Sequence, residues 1–239
     1  MSKPEIIRFL ALRSIGNFLL LFAIYGVLMT FGPALYFEIG FRIKEARGVV
    51  YTVASQKNYL SFEKPSSTTK TPVKTDGQFA DILSGEKQQI LIPKDTQFDI
   101  LIPKIGANAK VFPNVDPSNQ DEYLPVLSKG VAHAKGSVFP GMKGNIYLFA
   151  HSTDNFWDVG RYNAVFYLIK DLSKGDRIVM FFQGRRFDYI VTDSKVVDSN
   201  EVSYLVNSQK TTSEILILQT CWPPGTAWKR LLVFAAPLK

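Results

Sequence analysis

The chain has one cysteine, Cys221, and two histidines, His133 and His151. A cysteine is by default a small buried hydrophobe, but Cys221 stands where an apolar run gives way to Trp222-Pro223-Pro224-Gly225 in "LILQTCWPPGTAWKRLLVFA". That position puts the sulfur at the rim of a sheet, where the backbone leaves the packed layer and ligands arrive. With no second cysteine there is no intramolecular disulfide to make, so the residue reads as a reactive thiol.

A thiol with a pKa of about 8.5 needs a basic or cationic neighbour to act as a nucleophile near neutral pH. His151 ends the apolar run "NIYLFA" and so repeats the strand-exit placement of Cys221. His133, in the small-residue stretch "GVAHAKGS", reads as a satisfied surface or packing residue in a loop. Acyl transfer also builds an oxyanion that needs fixed donors. Lys229 and Arg230 open the apolar run after the Cys221 turn; neighbouring strand residues point to opposite faces, so only one of them reaches the thiol. Arginine's rigid fork suits a carbonyl oxygen and an adjacent backbone together, which favours Arg230.

The elements that must carry these residues are short. Apolar or alternating runs at 98–105, 109–115, 145–150, 176–184, 185–198, 214–220 and 230–237 are separated by turn residues. This pattern predicts an all-β barrel or sandwich. Gln183-Gly184-Arg185 is a tight hairpin candidate, and the stretches 118–130 and 162–172 read as short helices or turns.

Ahead of this domain, Ser14 to Phe37 carries no charge for 24 residues, more than the roughly 20 a helix needs to span a bilayer. The stretch is too long for a signal-peptide core and reads as a retained anchor. Lys3, Arg8 and Arg13 before it are balanced by Arg42, Lys44 and Arg47 after it, so flanking charge leaves two orientations open. A 13-residue head inside and a translocated domain is favoured over a cytoplasmic domain on an anchor. The stretch from Phe62 to Gln78, rich in Ser, Thr, Lys and Pro, reads as a flexible stalk, with the folded part starting near Ile90. The expected division is therefore a short cytoplasmic head at 1–13, a transmembrane anchor helix at 14–37, a juxtamembrane segment and stalk at 38–90, and the catalytic domain at 91–239. A net charge of +7 suits an anionic membrane or wall surface. No basic run is interleaved with aromatics, so no nucleic-acid partner is expected.

The order His151, Cys221, Arg230 resembles the sortases, membrane-anchored cysteine transpeptidases of bacterial cell surfaces. The family's Thr-Leu-x-Thr-Cys signature is matched by Ile217-Leu218-Gln219-Thr220-Cys221, with Ile217 in place of the first threonine. Its arginine before the last apolar strand falls on Arg230 in "WKRLLVFA", and its histidine on His151 in "LFAHS". "ILIPKI", "GVAH" and "FPGMKGN" echo its earlier motifs, so the resemblance runs from about Phe98 to Lys239.

The resemblance implies a closed eight-stranded β-barrel with short helices after an N-terminal transmembrane helix. It implies that Cys221 attacks the Thr-Gly or a similar bond of a C-terminal Leu-Pro-x-Thr-Gly motif, His151 protonates the leaving amine, Arg230 steadies the oxyanion, and Thr220 lines the groove. The implied partners are surface proteins carrying that motif and an amine acceptor such as a cell-wall precursor or a pilin lysine. The implied location is the bacterial cell membrane, single-pass, with the catalytic domain outside. No cofactor is expected. Asp116, Asp121 and Glu122 share a loop but follow no ligand spacing, so no metal is expected. The competing reading is a catalytically inactive, membrane-tethered barrel that binds peptide or wall polymer. An L,D-type wall transpeptidase ranks last because its Ser-His-Gly-Cys cluster is missing.

Overall fold

Strand Phe98–Ile102 (β3) has all five residues buried, and both its edges are taken: Ala107–Val115 (β4) pairs on one side and Arg177–Phe182 (β7) on the other. From that seed the sheet can be followed all the way round. In this computed structural model, residues 3–53, 88–152, 166–224 and 226–238 are described. The remaining strands are Val131–Ala134 (β5), Gly144–Phe149 (β6), Arg185–Asp198 (β8), Glu214–Trp222 (β9) and Lys229–Pro237 (β10). Their order is β10-β8-β7-β3-β4-β5-β6-β9, and β9 pairs back onto β10. The result is a closed eight-stranded barrel, which removes the exposed strand edges an open sheet would leave. The β4–β5 and β6–β9 pairs are parallel and the others antiparallel.

Alternation along the strands separates two cores. Ile146, Leu148, Leu216, Leu218, Leu231 and Val233 point into the barrel with Ile100, Met180 and Tyr189. Tyr147, Phe149, Ile217 and Leu232 point outward and are covered by the helix Gln120–Leu127 (α2) and the short helix Ser203–Val206 (α3). Asn119 caps α2 by accepting from the Asp121 N–H, while Glu122 accepts from the Asp116 N–H. Of the loop's acids, Asp116 and Glu122 are thereby tied into the turn that precedes the helix. The β7–β8 hairpin turns through Gln183 (φ 50°) and Gly184 (φ 73°), two left-handed residues as a two-residue hairpin loop of this hand requires.

The segment around His133 departs from the expected loop, because it is the strand β5. Its four residues are all buried, so period-two alternation is absent and only the pairing to β4 and β6 reveals it. His133 is wholly buried, its ring stacked on Phe139 at 4.5 Å. Its Nδ1 accepts from the Asn114 N–H (3.3 Å), which leaves Nε2–H to donate to the Val138 carbonyl (3.0 Å). Burial pushes this imidazole below its ordinary pKa, so it is held neutral. Of the surface and packing roles open to it, His133 has the packing one.

The helix Lys3–Ala46 (α1) precedes the domain, and its stretch Lys3–Met29 is long and apolar enough to cross a membrane. Beyond it Val50–Val53 (β1) pairs in parallel with Gln88–Leu91 (β2), and Val53 and Leu91 pack on Leu101, Val179 and Phe181 outside the barrel. β1 lies inside the 38–90 stretch read as juxtamembrane and stalk and β2 straddles its end; the Phe62–Gln78 part of that reading falls outside the described residues.

Candidate active site

Strand β9 owes its length to an apolar run, Ile215 to Leu218, whose two faces feed the two cores. By the same alternation Thr220 turns inward and Gln219 and Cys221 turn outward. Cys221, the next-to-last residue of β9, is half-buried and makes no disulfide. The antiparallel register to β10 sets Arg230 directly across from it. Directly opposed residues share a face with Cβ atoms about 5 Å apart. Lys229 instead stands across from Trp222, on the other parity. The Arg230 guanidinium donates through Nη1 to the carbonyls of Ala227 and Lys229, both 3.0 Å away, which ties it to the turn between the two strands.

His151 arrives from the other side. Each β6 residue pairs with the β9 residue 70 positions later, from Gly144 with Glu214 to Phe149 with Gln219. The ladder runs one residue further, with the Ala150 N–H donating to the Gln219 carbonyl at 3.2 Å. Continued at the same offset, His151 comes level with Cys221 and on the same outward face. Cys221 and Arg230 therefore lie on the adjacent strands β9 and β10, and His151 follows two residues after the end of β6, which pairs with β9, at the same end of the barrel.

Thr220, expected to line the groove, is held by a hydrogen bond to its neighbour strand. It is only 2% exposed, and its hydroxyl donates to the Ala150 carbonyl at 3.1 Å. The bond clips the end of β6, immediately before His151, to the strand that carries Cys221. On the outward face the neighbour of Cys221 is Gln219, whose Oε1 accepts from the Tyr147 hydroxyl at 2.5 Å. Burial pushes the Tyr147 phenol well above its ordinary pKa, opposed by the nearby positive charge of Arg230. Tyr147 and Gln219 were not singled out from the sequence. The signal was available in strand parity, since Gln219 is two residues before Cys221 and so shares its face. Among the described residues no group of acids, histidines and cysteine is arranged to hold a metal ion.

Comparison with known proteins adds a lineage to this geometry. Residues 100–238 match the model of the sortase domain family. Sortase D of Bacillus subtilis (strain 168) is 32% identical over 136 residues, covering 56% of this chain and 59% of that protein, so the match spans less than two thirds of the relative's length. Among solved structures, a pilus-related sortase C of Group B Streptococcus aligns at 28% identity over 62% of this chain and 70% of its own, with a TM-score of 0.49. A Clostridium perfringens sortase D5 transpeptidase aligns at 22% identity over 62% of this chain and 82% of its own, also at 0.49. On the family match, which takes in both β9 and β10 and more than half of the sequence, the chain belongs to the sortase family.

Proposed function

We propose that this chain is a cysteine transpeptidase that cleaves a C-terminal sorting motif of the Leu-Pro-x-Thr-Gly kind through a thioester and passes the acyl group to an amine at the cell surface. The observation that carries the reading is the register of β9 on β10, in which Cys221 and Arg230 are partners. The β6–β9 ladder, ending one residue before His151, supports the third member of the set.

In this mechanism the Cys221 thiolate attacks the carbonyl carbon of the scissile bond. Arg230 donates to the oxygen as it takes up negative charge, and fixed donors of this kind are the largest single contribution in acyl transfer. The C–N bond breaks, and protonated His151 gives its proton to the departing amine, leaving an S-acyl enzyme. An incoming amine then attacks the thioester and loses a proton to His151, and the thiolate leaves. Thr220 acts as a positioning residue, since it touches the backbone next to His151 and not the reacting atoms. Acceptors of the right chemistry are a cell-wall precursor amine or a pilin lysine. Membrane attachment through α1, with the barrel outside the cytoplasm, brings such substrates within reach.

The deciding experiment is intact-mass spectrometry of the protein incubated with sorting-motif peptides without an acceptor amine. An adduct of the acyl fragment on Cys221 is expected, and it is absent in Cys221→Ala. Unchanged peptide cleavage by Cys221→Ala would overturn the reading in favour of a passive binding barrel.

A further inference from the structure

Helix α1 does not end at a free tether. Its last turns meet the 3-10 turn Tyr167–Asp171: Lys170 Nζ lies 2.8 Å from Glu38 Oε2, and Arg42 Nη2 lies 3.2 Å from Asp171 Oδ1. Within the same cluster Arg42 Nε is 3.0 Å from Glu38 Oε1 and Lys170 is 3.1 Å from Asp171. Phe41, between the two helix charges, packs against the main barrel core. The turn it meets is itself anchored, since Phe166, Ile169 and Leu172 are buried in that core.

The position of this dock on the barrel decides its meaning. The Tyr167–Asp171 turn leads directly into the start of β7. Antiparallel pairing carries that end of β7 to the end of β3 on one side and toward the end of β8 on the other. Asp198, the last residue of β8, pairs with Lys229 at the start of β10, and Lys229 pairs with Trp222. The dock and the Cys221–Arg230 pair therefore occupy the same end of the barrel, with β7 two strands away from β10. Glu38 is also the first charged residue after the uncharged stretch Ser14–Phe37. At 1.5 Å per helical residue the ion pairs lie within roughly 10 Å of where that stretch stops. Exposed Lys44, Arg47, Lys104, Lys174 and Lys229 flank the same end, and cations so placed are drawn to anionic lipid.

We propose that the α1–Tyr167–Asp171 dock is a bracket that holds the Cys221 end of the barrel against the bilayer and turns the β7–β8 hairpin away from it. The inference rests on reading α1 as a membrane anchor, and its test works on catalytically silent protein, so it fails or stands separately from the proposed activity. The dock is tested by geometry and not by stability.

The test uses the full chain in a Cys221→Ser background, reconstituted in phosphatidylglycerol vesicles that contain an acceptor-labelled lipid. A single donor fluorophore is attached through Lys229→Cys or Gln183→Cys. Energy transfer to the lipid is expected to be stronger from position 229 than from position 183. Equal transfer, or stronger transfer from 183, overturns the proposal. Reversing the helix charges with Glu38→Lys and Arg42→Glu is expected to erase the difference, and adding Lys170→Glu and Asp171→Lys is expected to restore it. A difference that survives the reversal overturns the bracket, because the barrel would then be held by something else.

Discussion

Arg230 stands directly across the β9–β10 ladder from Cys221. The relationship follows from the length of the turn between them: Pro223 to Trp228 returns the chain so that Trp222 meets Lys229 and the next pair inward is the thiol and the guanidinium. If the guanidinium serves the oxyanion, Arg230→Ala lowers kcat on a sorting-motif peptide by about 10²–10³-fold. Arg230→Lys recovers little, because a point charge does not replace a planar fork. Steady-state kinetics check this, with circular dichroism to show that the barrel persists.

The clip between Thr220 and Ala150 supplies a second prediction. Thr220→Val keeps the shape and removes the bond to the Ala150 carbonyl. A lost hydrogen bond of this kind costs about 1 kcal/mol of stability. Loosening the strand end before His151 is expected to lower kcat more than it raises KM, and Thr220→Ser is expected to restore most of the rate. Equal effects of Val and Ser on kcat would leave the hydroxyl without a positioning role.

Two buried titratable groups bias stability in opposite directions. Asp99, with no exposed surface, is pushed from 3.8 up to about 6 by burial, against hydrogen bonds from the backbone N–H groups of Asp95, Lys94 and Ile100. Between those values the folded state binds the extra proton, so stability falls as pH rises through the window, by roughly 3 kcal/mol in full. His133 is held neutral below its ordinary pKa of 6.5. There the unfolded state binds the extra proton, so stability falls as pH drops below about 6.5. Urea unfolding across pH 4 to 8 is expected to lose the first slope in Asp99→Asn and the second in His133→Gln.

Strand β5 depends on the residue before it. A Cβ on Gly130 would lie 2.3 Å from the Lys110 carbonyl oxygen and 3.0 Å from the Phe112 ring. Gly130→Ala is therefore expected to force β4 and β5 apart and destabilise the barrel by about 1–3 kcal/mol. Thermal unfolding measures it, with Gly136→Ala, at a site with no neighbour within 4 Å but with φ at 89°, as a comparison for backbone strain alone.

Much of the barrel was legible because Ile100, Leu216 and Val233 sit in runs bounded by turn residues, and runs of that length survive as strands. β5 was not legible: four buried residues without alternation look like a loop of small side chains, and their strand character comes from Val111 and Phe112 on a neighbour twenty residues away. The strand-exit placements of His151 and Cys221 were readable from where apolar runs stop. The inward turn of Thr220 was readable in principle from the parity that turns Cys221 outward, but a hydroxyl beside a thiol invites a shared face. The dock of α1 on Lys170 and Asp171 was hidden, because a contact over 132 residues leaves no local pattern.

The parallel pairing of β6 with β9 has a temporal consequence. Because the chain is synthesised from its N-terminus, β9 and β10 emerge after the six other barrel strands, and nothing before them seals the seam between β6 and β8. A chain ending before position 214 thus lacks both Cys221 and a finished cylinder, so closure of the barrel and arrival of the thiol coincide.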